Sequence, residues 1–510
     1  MSASEDRPRG LRIAIIGAGP GGLCMAIRLK QAGFEDFILL EKGEGVGGTW
    51  YHNRYPGCAC DIQSHLYSFS FETKTDWSRP YSPQPEIRAY LEHCAEKYEL
   101  LPHCRFNAEV RSAGWDEGTS RWTLEVESGE AVEADIVISA IGMFNEITWP
   151  EIQGRDSFAG TCFHSAQWDW DHDLSGETVG VIGSAASAVQ FVPEIIKQAG
   201  QVHLFQRTAN WVLPKEDEPY GPEDLERFAT DPNASLSLRD EIFEQVDGSI
   251  TFSDPAVLAE LEAAVAASIE VVEDPELRRK LSPQHPFGCK RPLLSNHYYP
   301  AFNRPNLELV TDAIERVTPE AVVTVDGRSR PVDTLIFATG FSTTKYLSAI
   351  DVTGRDGQRI DEAWSDGARA YLGITTAGFP NLFMLYGPNT NNGSILSMIE
   401  YQVDYSLQQI QRIANEGLAW IDVRPEVMDR YNEEVQQAIA GIEVWQADCN
   451  GYYRTPSGRV VTQWPYSMSE FRERTSKVDT DGFEVAPLAA RSLHGTGVAE
   501  GDEAPEIQTG

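Results

Sequence analysis

Eight cysteines are spread through the chain, yet no two form a CxxC pair and none has the Cys/His spacing of a zinc site. That excludes a zinc-ribbon module and a CxxC redox motif, and no metal is expected. Cys24, Cys58, Cys60, Cys94, Cys104, Cys162, Cys289 and Cys449 follow a polar start with no signal-peptide stretch, so they read as reduced thiols of a cytoplasmic protein. No apolar run approaches the ~18–20 residues that span a bilayer, which argues against an integral membrane protein. Basic residues are scarce: 42 Lys and Arg face 77 Asp and Glu, a formal charge of −35. Such a field repels nucleic-acid phosphates and anionic membranes, so neither is expected as a partner. An anionic cofactor would need Arg or Lys placed locally. Nothing in the pattern specifies an oligomeric state.

What remains is globular: 41% hydrophobic and 23% charged residues over 510 positions. At ~100–200 residues per domain this makes two to four domains. Leu11–Gly17 is a short apolar strand ending in glycine, a helix pattern runs from Gly21 to about Ala32, and Phe37–Glu41 is a second strand. Strand, glycine turn, helix and strand make the repeating unit of a parallel sheet. A second copy starts at Thr178–Gly183, with a helix from about Ala185 to Gln198 and a strand at Val202–Gln206. Arg121–Glu127 and Ala134–Ala140 read as strands between them, and residues 307–341 return to strands. Segment 216–289 holds 18 acidic and five basic residues. It predicts a helical insertion, with Asp254 capping a helix that has Pro255 at its first position. Leu258, Leu261, Val265, Ile269 and Val272 mark its apolar face.

The first turn, Gly17-Ala18-Gly19-Pro20-Gly21-Gly22, fits GxGxxG. Gly17 permits the tight turn, Gly19 a close pyrophosphate, and Gly22 close helix–strand packing. The helix N-terminus offers free N–H groups to phosphates. Glu41, 24 residues after Gly17, is placed to accept from ribose hydroxyls. The second turn, Gly183-Ser184-Ala185-Ala186-Ser187-Ala188, has alanine at the middle and third glycine positions. The Ala185 methyl is expected to crowd the phosphate approach. Arg207, 24 residues past Gly183, stands where an acid would favour NADH. A guanidinium there can fork a 2′-phosphate, which points to NADPH; a solvated surface arginine is the plainer reading.

Two longer patterns narrow this. Residues 158–169, FAGTCFHSAQWD, resemble FxGxxxHxxxW(P/D), the signature of type I Baeyer–Villiger monooxygenases, through Phe158, Gly160, His164, Trp168 and Asp169. Residues 47–61, GGTWYHNRYPGCACD, are similar to the same family's GGxWxxxx(F/Y)PGxxxD through Gly48, Trp50, Tyr55, Pro56, Gly57 and Asp61. The resemblance covers roughly residues 10–475. It implies an α/β fold with two dinucleotide-binding, Rossmann-like domains for FAD and NADP, plus the helical insertion. The expected division is a leader at 1–10, FAD-binding parts at 11–145 and 373–485, NADP-binding parts at 146–215 and 290–372, the insertion at 216–289, and a disordered acidic tail at 486–510.

The resemblance also implies roles. Gly17, Gly19, Pro20, Gly22, Glu41, Gly48, Thr49, Trp50, Asp61, Tyr67 and Val110 would hold FAD. Gly183, Ser184, Ala185, Ala186, Ser187, Arg207, Thr208, Lys290, Arg291 and Tyr452 would hold NADPH. Within Lys290-Arg291-Pro292, Arg291 takes the place of the family's catalytic arginine, with Asp61 beside it. His164 reads either as a satisfied core histidine or as a catalyst, and its segment as a coupling connector. The implied reaction inserts one oxygen atom of O2 beside the carbonyl of a small-molecule ketone, through a C4a-peroxyflavin, giving an ester or lactone. Attack on a sulfide or amine is the alternative. A flavin disulfide reductase would need a redox pair, and Cys58-x-Cys60 has the wrong spacing for CxxxxC. A cofactor binder without turnover is suggested only by Ala185.

Overall fold

Each glycine turn ends the central strand of a five-stranded parallel sheet. The computed structural model describes residues 10–249, 251–447, 449, 451 and 453–488. The first sheet runs in the order Leu382–Met384, Ile136–Ser139, Ile13–Ile16, Phe37–Leu40, Cys104–Arg105, and the second Thr161–His164, Thr334–Phe337, Thr178–Ile182, Gln201–Phe205, Leu307–Val310. All neighbours pair in parallel, with Ile13 beside both Phe37 and Ile136, and Val179 beside both Val202 and Thr334. The two sheets therefore share one plan. Strands such as IAII and IVIS are buried on both faces, as parallel sheets flanked by helices require. The expected α/β class with two Rossmann-like sheets is observed. One cluster of buried side chains reaches from Ile15 through Phe191 to Val181, so the sheets share a continuous core.

The helix Pro20–Gln31 follows the first turn and Ala186–Ile195 the second. Among the described residues between 216 and 289 lie four helices, Pro222–Thr230, Pro232–Ser249, Pro255–Ile269 and Pro275–Leu281. Asp254 Oδ1 accepts from Ala256 N at 2.9 Å, the expected cap. Val265, Ile269 and Val272 are buried, and Leu258 and Leu261 half-buried. Arg239 of the second helix donates to the carbonyls of His65, Leu66 and Ser68, which ties these helices to the first sheet's side. Among the described residues no helix is long and apolar enough to cross a membrane.

Two expectations change. The eight thiols are not all free: Cys289 and Cys449 form a disulfide, while the other six remain thiols. Secondly, residues 351–372 were expected with the second dinucleotide fold. Instead Asp351–Thr353 pairs with Ser112–Gly114 of the antiparallel strands Val110–Asp116 and Arg121–Val126. Val352, Ile360 and Trp364 pack there against Trp115. Alternation in so short a strand cannot say which sheet it joins. The leader through residue 9 and the tail from 489 lie outside the described residues.

Asp422 makes this side of the molecule sensitive to pH. Both its carboxylate oxygens accept from Gly378 N at 3.1 Å, and Arg355 lies 3.6 Å away. Burial outweighs these partners and pushes its pKa up to about 7. The folded state then keeps a proton that the unfolded chain releases near ~4, so stability falls as pH rises from there to about 7. Asp422→Asn is expected to gain thermal midpoint over the parent, by a margin that widens between pH 5 and pH 8. An equal difference at both values would refute the assignment.

Candidate active site

Both turns open into one cleft of about 2110 Å3 between the sheets. Gly17 has φ +103° and Gly183 φ +106°, so each needs glycine for its backbone alone. Space agrees: a Cβ on Gly17 would lie 2.7 Å from the Ala140 carbonyl oxygen, and on Gly183 2.4 Å from that of Ala338. Ala140 and Ala338 follow equivalent strands. A Cβ on Gly22 would strike Gly17 O at 2.0 Å, so Gly22 sits behind the turn and outside the cleft wall. Gly19 faces the Gly48 backbone, where a Cβ would reach Gly48 Cα at 3.4 Å. The second turn is looser. Ala185 caps its helix at φ −90°, an ordinary extended value, and its methyl is exposed on the cleft wall. Ala188, in the third glycine's place, is fully buried.

Glu41 is buried under the first turn. Its Oε2 accepts from Ala18 N at 2.8 Å and its Oε1 from Gly43 N at 2.7 Å. Burial alone would raise this carboxyl; His52, 3.9 Å away, and the two N–H groups outweigh it and hold it below the usual range. The group stays ionised and keeps lone pairs for further donors. Across the cleft, Arg207 and Lys290 both line the wall, and among the described residues no carboxylate lies within ion-pair distance of either. Burial lowers the Lys290 ammonium below the ordinary lysine range, and the Arg207 charge lowers it further. Two adjacent cations without a counter-charge, in a chain of −35, form a socket for an anion. Thr208, Ser184, Ala186 and Ser187 line the same wall, and Asn210 Nδ2 fixes the turn by donating to Ser184 O at 2.8 Å.

Between the two turns stands Arg291. Its Nε and a terminal nitrogen both donate to Asp61 Oδ2, at 2.9 and 2.7 Å. About a third of each side chain is exposed, and both line the cleft. Asp61 is set by the loop before it. Gly57 has φ +75°, and a Cβ there would lie 2.7 Å from Gln190 O. Tyr55 OH donates to Gln190 Oε1 at 2.9 Å, and Gln190 Nε2 returns a bond to Ala59 O at 3.0 Å. The Gly183 helix thereby grips the Asp61 loop through Gln190. Sequence reading missed this residue, although a lone glutamine in the apolar run ASAVQFVPEI was its signal. Nearby, Trp50 Nε1 donates to Tyr67 OH at 3.1 Å. Thr49, Trp50, Tyr67 and Val110 also line the cleft, with Gly48 and Pro20 at the first turn. Tyr452 lies outside the described residues.

None of Phe158, Gly160, His164, Trp168 and Asp169 lines the cleft. Trp168 packs on Phe191, and Phe191 on Tyr55, with centroids 5.2 and 6.0 Å apart. Gly160 is required where a Cβ would meet Asp333 O at 2.1 Å, and Phe158 packs on the second sheet. Asp169 closes a surface turn by accepting from Asp171 N at 3.0 Å. His164 is fully buried at the end of its strand, and Nδ1 accepts from Ala166 N at 3.1 Å. Burial pulls it down to about 4, so it is neutral near pH 7. Its ring lies edge-on to Trp149 and Phe341. Those two sit on the chain's two crossings between the sheets, which run side by side: Thr148 N donates to Gly340 O at 2.9 Å and Thr339 Oγ1 to Thr148 O at 2.6 Å.

A curated relative from Pseudomonas aeruginosa, a Baeyer–Villiger monooxygenase, is 42% identical over 502 residues, covering 97% of this chain and 95% of the relative. The chain belongs to the Baeyer–Villiger monooxygenases. The closed crystal structure of cyclohexanone monooxygenase superposes with a TM-score of 0.86 at 30% identity, covering 94% of this chain and 99% of that one. The structure of OTEMO in complex with FAD and NADP superposes with a TM-score of 0.83 at 31% identity, covering 94% and 100%. Residues 14–232 also match the family described as pyridine nucleotide-disulphide oxidoreductase. That likeness lies in the fold. In this Baeyer–Villiger monooxygenase Cys58 and Cys60 are free thiols, and burial pushes Cys58 up to about 12, so this pair is not poised as a reactive dithiol.

Proposed function

We propose that the chain is an FAD- and NADPH-dependent monooxygenase that inserts one atom of O2 next to the carbonyl of a small-molecule ketone, giving an ester or lactone. The observation that carries this is the Arg291–Asp61 pair, facing a cleft into which both glycine turns open. The residues fit the cofactors. The first turn, the helix N-terminus at Pro20 and ionised Glu41 suit a pyrophosphate and ribose hydroxyls; Gly48, Thr49, Trp50, Tyr67 and Val110 complete that wall. The second turn with Arg207, Thr208 and Lys290 suits the extra phosphate of NADPH. When bound, FAD supplies the redox chemistry, taking hydride from NADPH and activating dioxygen.

The chain supplies geometry and charge. A guanidinium is charged across the working pH range, so Arg291 presents a fixed positive charge where negative charge develops on oxygen. Asp61 aims the guanidinium and moderates its charge. Tyr55 and Gln190 hold the Asp61 loop against the second sheet, so the spacing between the two turns sets where Arg291 stands. Neutral, buried His164 joins the two crossings through Trp149 and Phe341, which makes it a positioning residue for the domains. We place the FAD-binding part at 11–145 and from about 351 onward, with the NADP-binding part between the crossings.

The test offers a ketone and a sulfide in parallel with NADPH under oxygen. The ketone is expected to yield a product one oxygen heavier, with matching NADPH use. Sulfoxide with no ester from any ketone would overturn the proposal.

A further inference from the structure

Cys289 immediately precedes Lys290 and Arg291, and its partner Cys449 lies 160 residues further on, in the loop between the Glu443–Trp445 turn and Tyr453. The base of that loop is held, since Gln446 Nε2 donates to Ile439 O at 2.7 Å. Its far end is held where Val461 N donates to Tyr453 O at 3.1 Å. Between them Gly451 lies against the arginine segment: a Cβ on it would stand 3.7 Å from Lys290 Cγ and 3.8 Å from Cys289 O. Gly451, Tyr453, Lys290 and Arg291 all line the cleft. Phe252 of the helical segment packs on both Phe287, two residues before Cys289, and Trp445, four before Cys449. Cys289 is 5% exposed and Cys449 half-buried, so Cys449 is the more accessible half of the bond.

We propose that the Cys289–Cys449 bond is a redox-controlled positioning device, which ties Cys449 and Gly451 to Lys290-Arg291 and so holds the cationic wall in place for NADPH. It rests on the NADPH reading of that wall. In a chain without a disulfide framework, a single bond beside the active-site cleft, one residue from its wall, has the character of a sensing bond more than of a general staple. Reduction by a dithiol breaks the Sγ–Sγ bond: the dithiol gives two electrons and two protons, leaves as its own disulfide, and two protein thiols result. Hydrogen peroxide reverses this by taking two electrons and two protons and leaving as two waters. Once the bond is cut, Cys449 is no longer tied covalently to the residue before Lys290, and the contact of Gly451 on the Lys290 stem is free to loosen.

The test uses holoenzyme with and without dithiothreitol, followed by thiol counts in denaturant. The count is expected to rise from six to eight on reduction, because six of the eight cysteines are free. The dissociation constant for NADP+, from titration of the holoenzyme, and the KM for NADPH are expected to rise together by about fivefold or more. The kcat should change far less, and peroxide should restore the starting values. Cys289→Ser/Cys449→Ser is expected to stay at the reduced values and to ignore dithiothreitol. Eight thiols before reduction and after peroxide would overturn the proposal. So would a count that moves from six to eight while NADP+ affinity stays fixed. Thiol counts and NADP+ titration need no turnover, so failure here is separable from absent ketone oxygenation.

Discussion

Arg291→Ala is expected to purify yellow, with FAD bound, and to oxygenate ketones ~10²–10³-fold more slowly than the parent, the usual cost of removing a charge donor aimed at developing negative charge. The Arg291–Asp61 pair is partly exposed, so its loss should change stability little; exposed pairs contribute ~0–1 kcal/mol. The effect should therefore fall on turnover. Arg291→Lys restores the charge without the planar fork that engages Asp61 through two nitrogens, and should recover only part of the rate. NADPH oxidation that continues while ester formation collapses would locate the defect at oxygen insertion. Ketone oxygenation by Arg291→Ala at the parent rate would remove this residue from the chemistry.

Arg207→Ala is expected to raise the KM for NADPH by ~10–100-fold, as loss of charge-assisted bonds of ~1.5–3 kcal/mol predicts, and to leave the KM for NADH nearly unchanged. The reasoning is electrostatic. In most of the molecule a cation finds one of the abundant acids, yet among the described residues Arg207 and Lys290 act on each other with no carboxylate in ion-pair distance. Such a pair is costly until an anion arrives, and a 2′-phosphate distinguishes the two nicotinamide cofactors at that place. Rising salt should weaken NADPH binding more than NADH binding. An equal change for both cofactors would refute the phosphate grip.

The sequence revealed those parts of the site where the backbone allows few residues. Gly17 and Gly183 have positive φ and a carbonyl across from them, so glycine is obligatory and visible. Glu41 and Arg207 stand equally far from their turns, although the first helix has 12 residues and the second 10, because the whole helix-to-strand stretch has the same length in the two copies. Arg291 and Asp61 came only through the resemblance, since no local rule joins residues 230 positions apart. The Cys289–Cys449 bond escaped for the same reason, and spacing rules that look for close pairs read both as free thiols. Asp351–Thr353 is too short for its pattern to choose a sheet. Gln190 was passed over because its partners, Tyr55 and Ala59, lie more than 130 positions away, so the glutamine in its helix showed no local role. For His164, sequence could not separate core from catalyst; burial behind Trp149 and Phe341, away from the cleft wall, favours the structural role.

Turnover of one ketone under dioxygen labelled with the heavy oxygen isotope tests the central claim most directly. The account predicts an ester or lactone carrying a single heavy atom, formed in step with NADPH oxidation. Unlabelled product, or NADPH consumed with hydrogen peroxide as the sole product for every ketone offered, would contradict it.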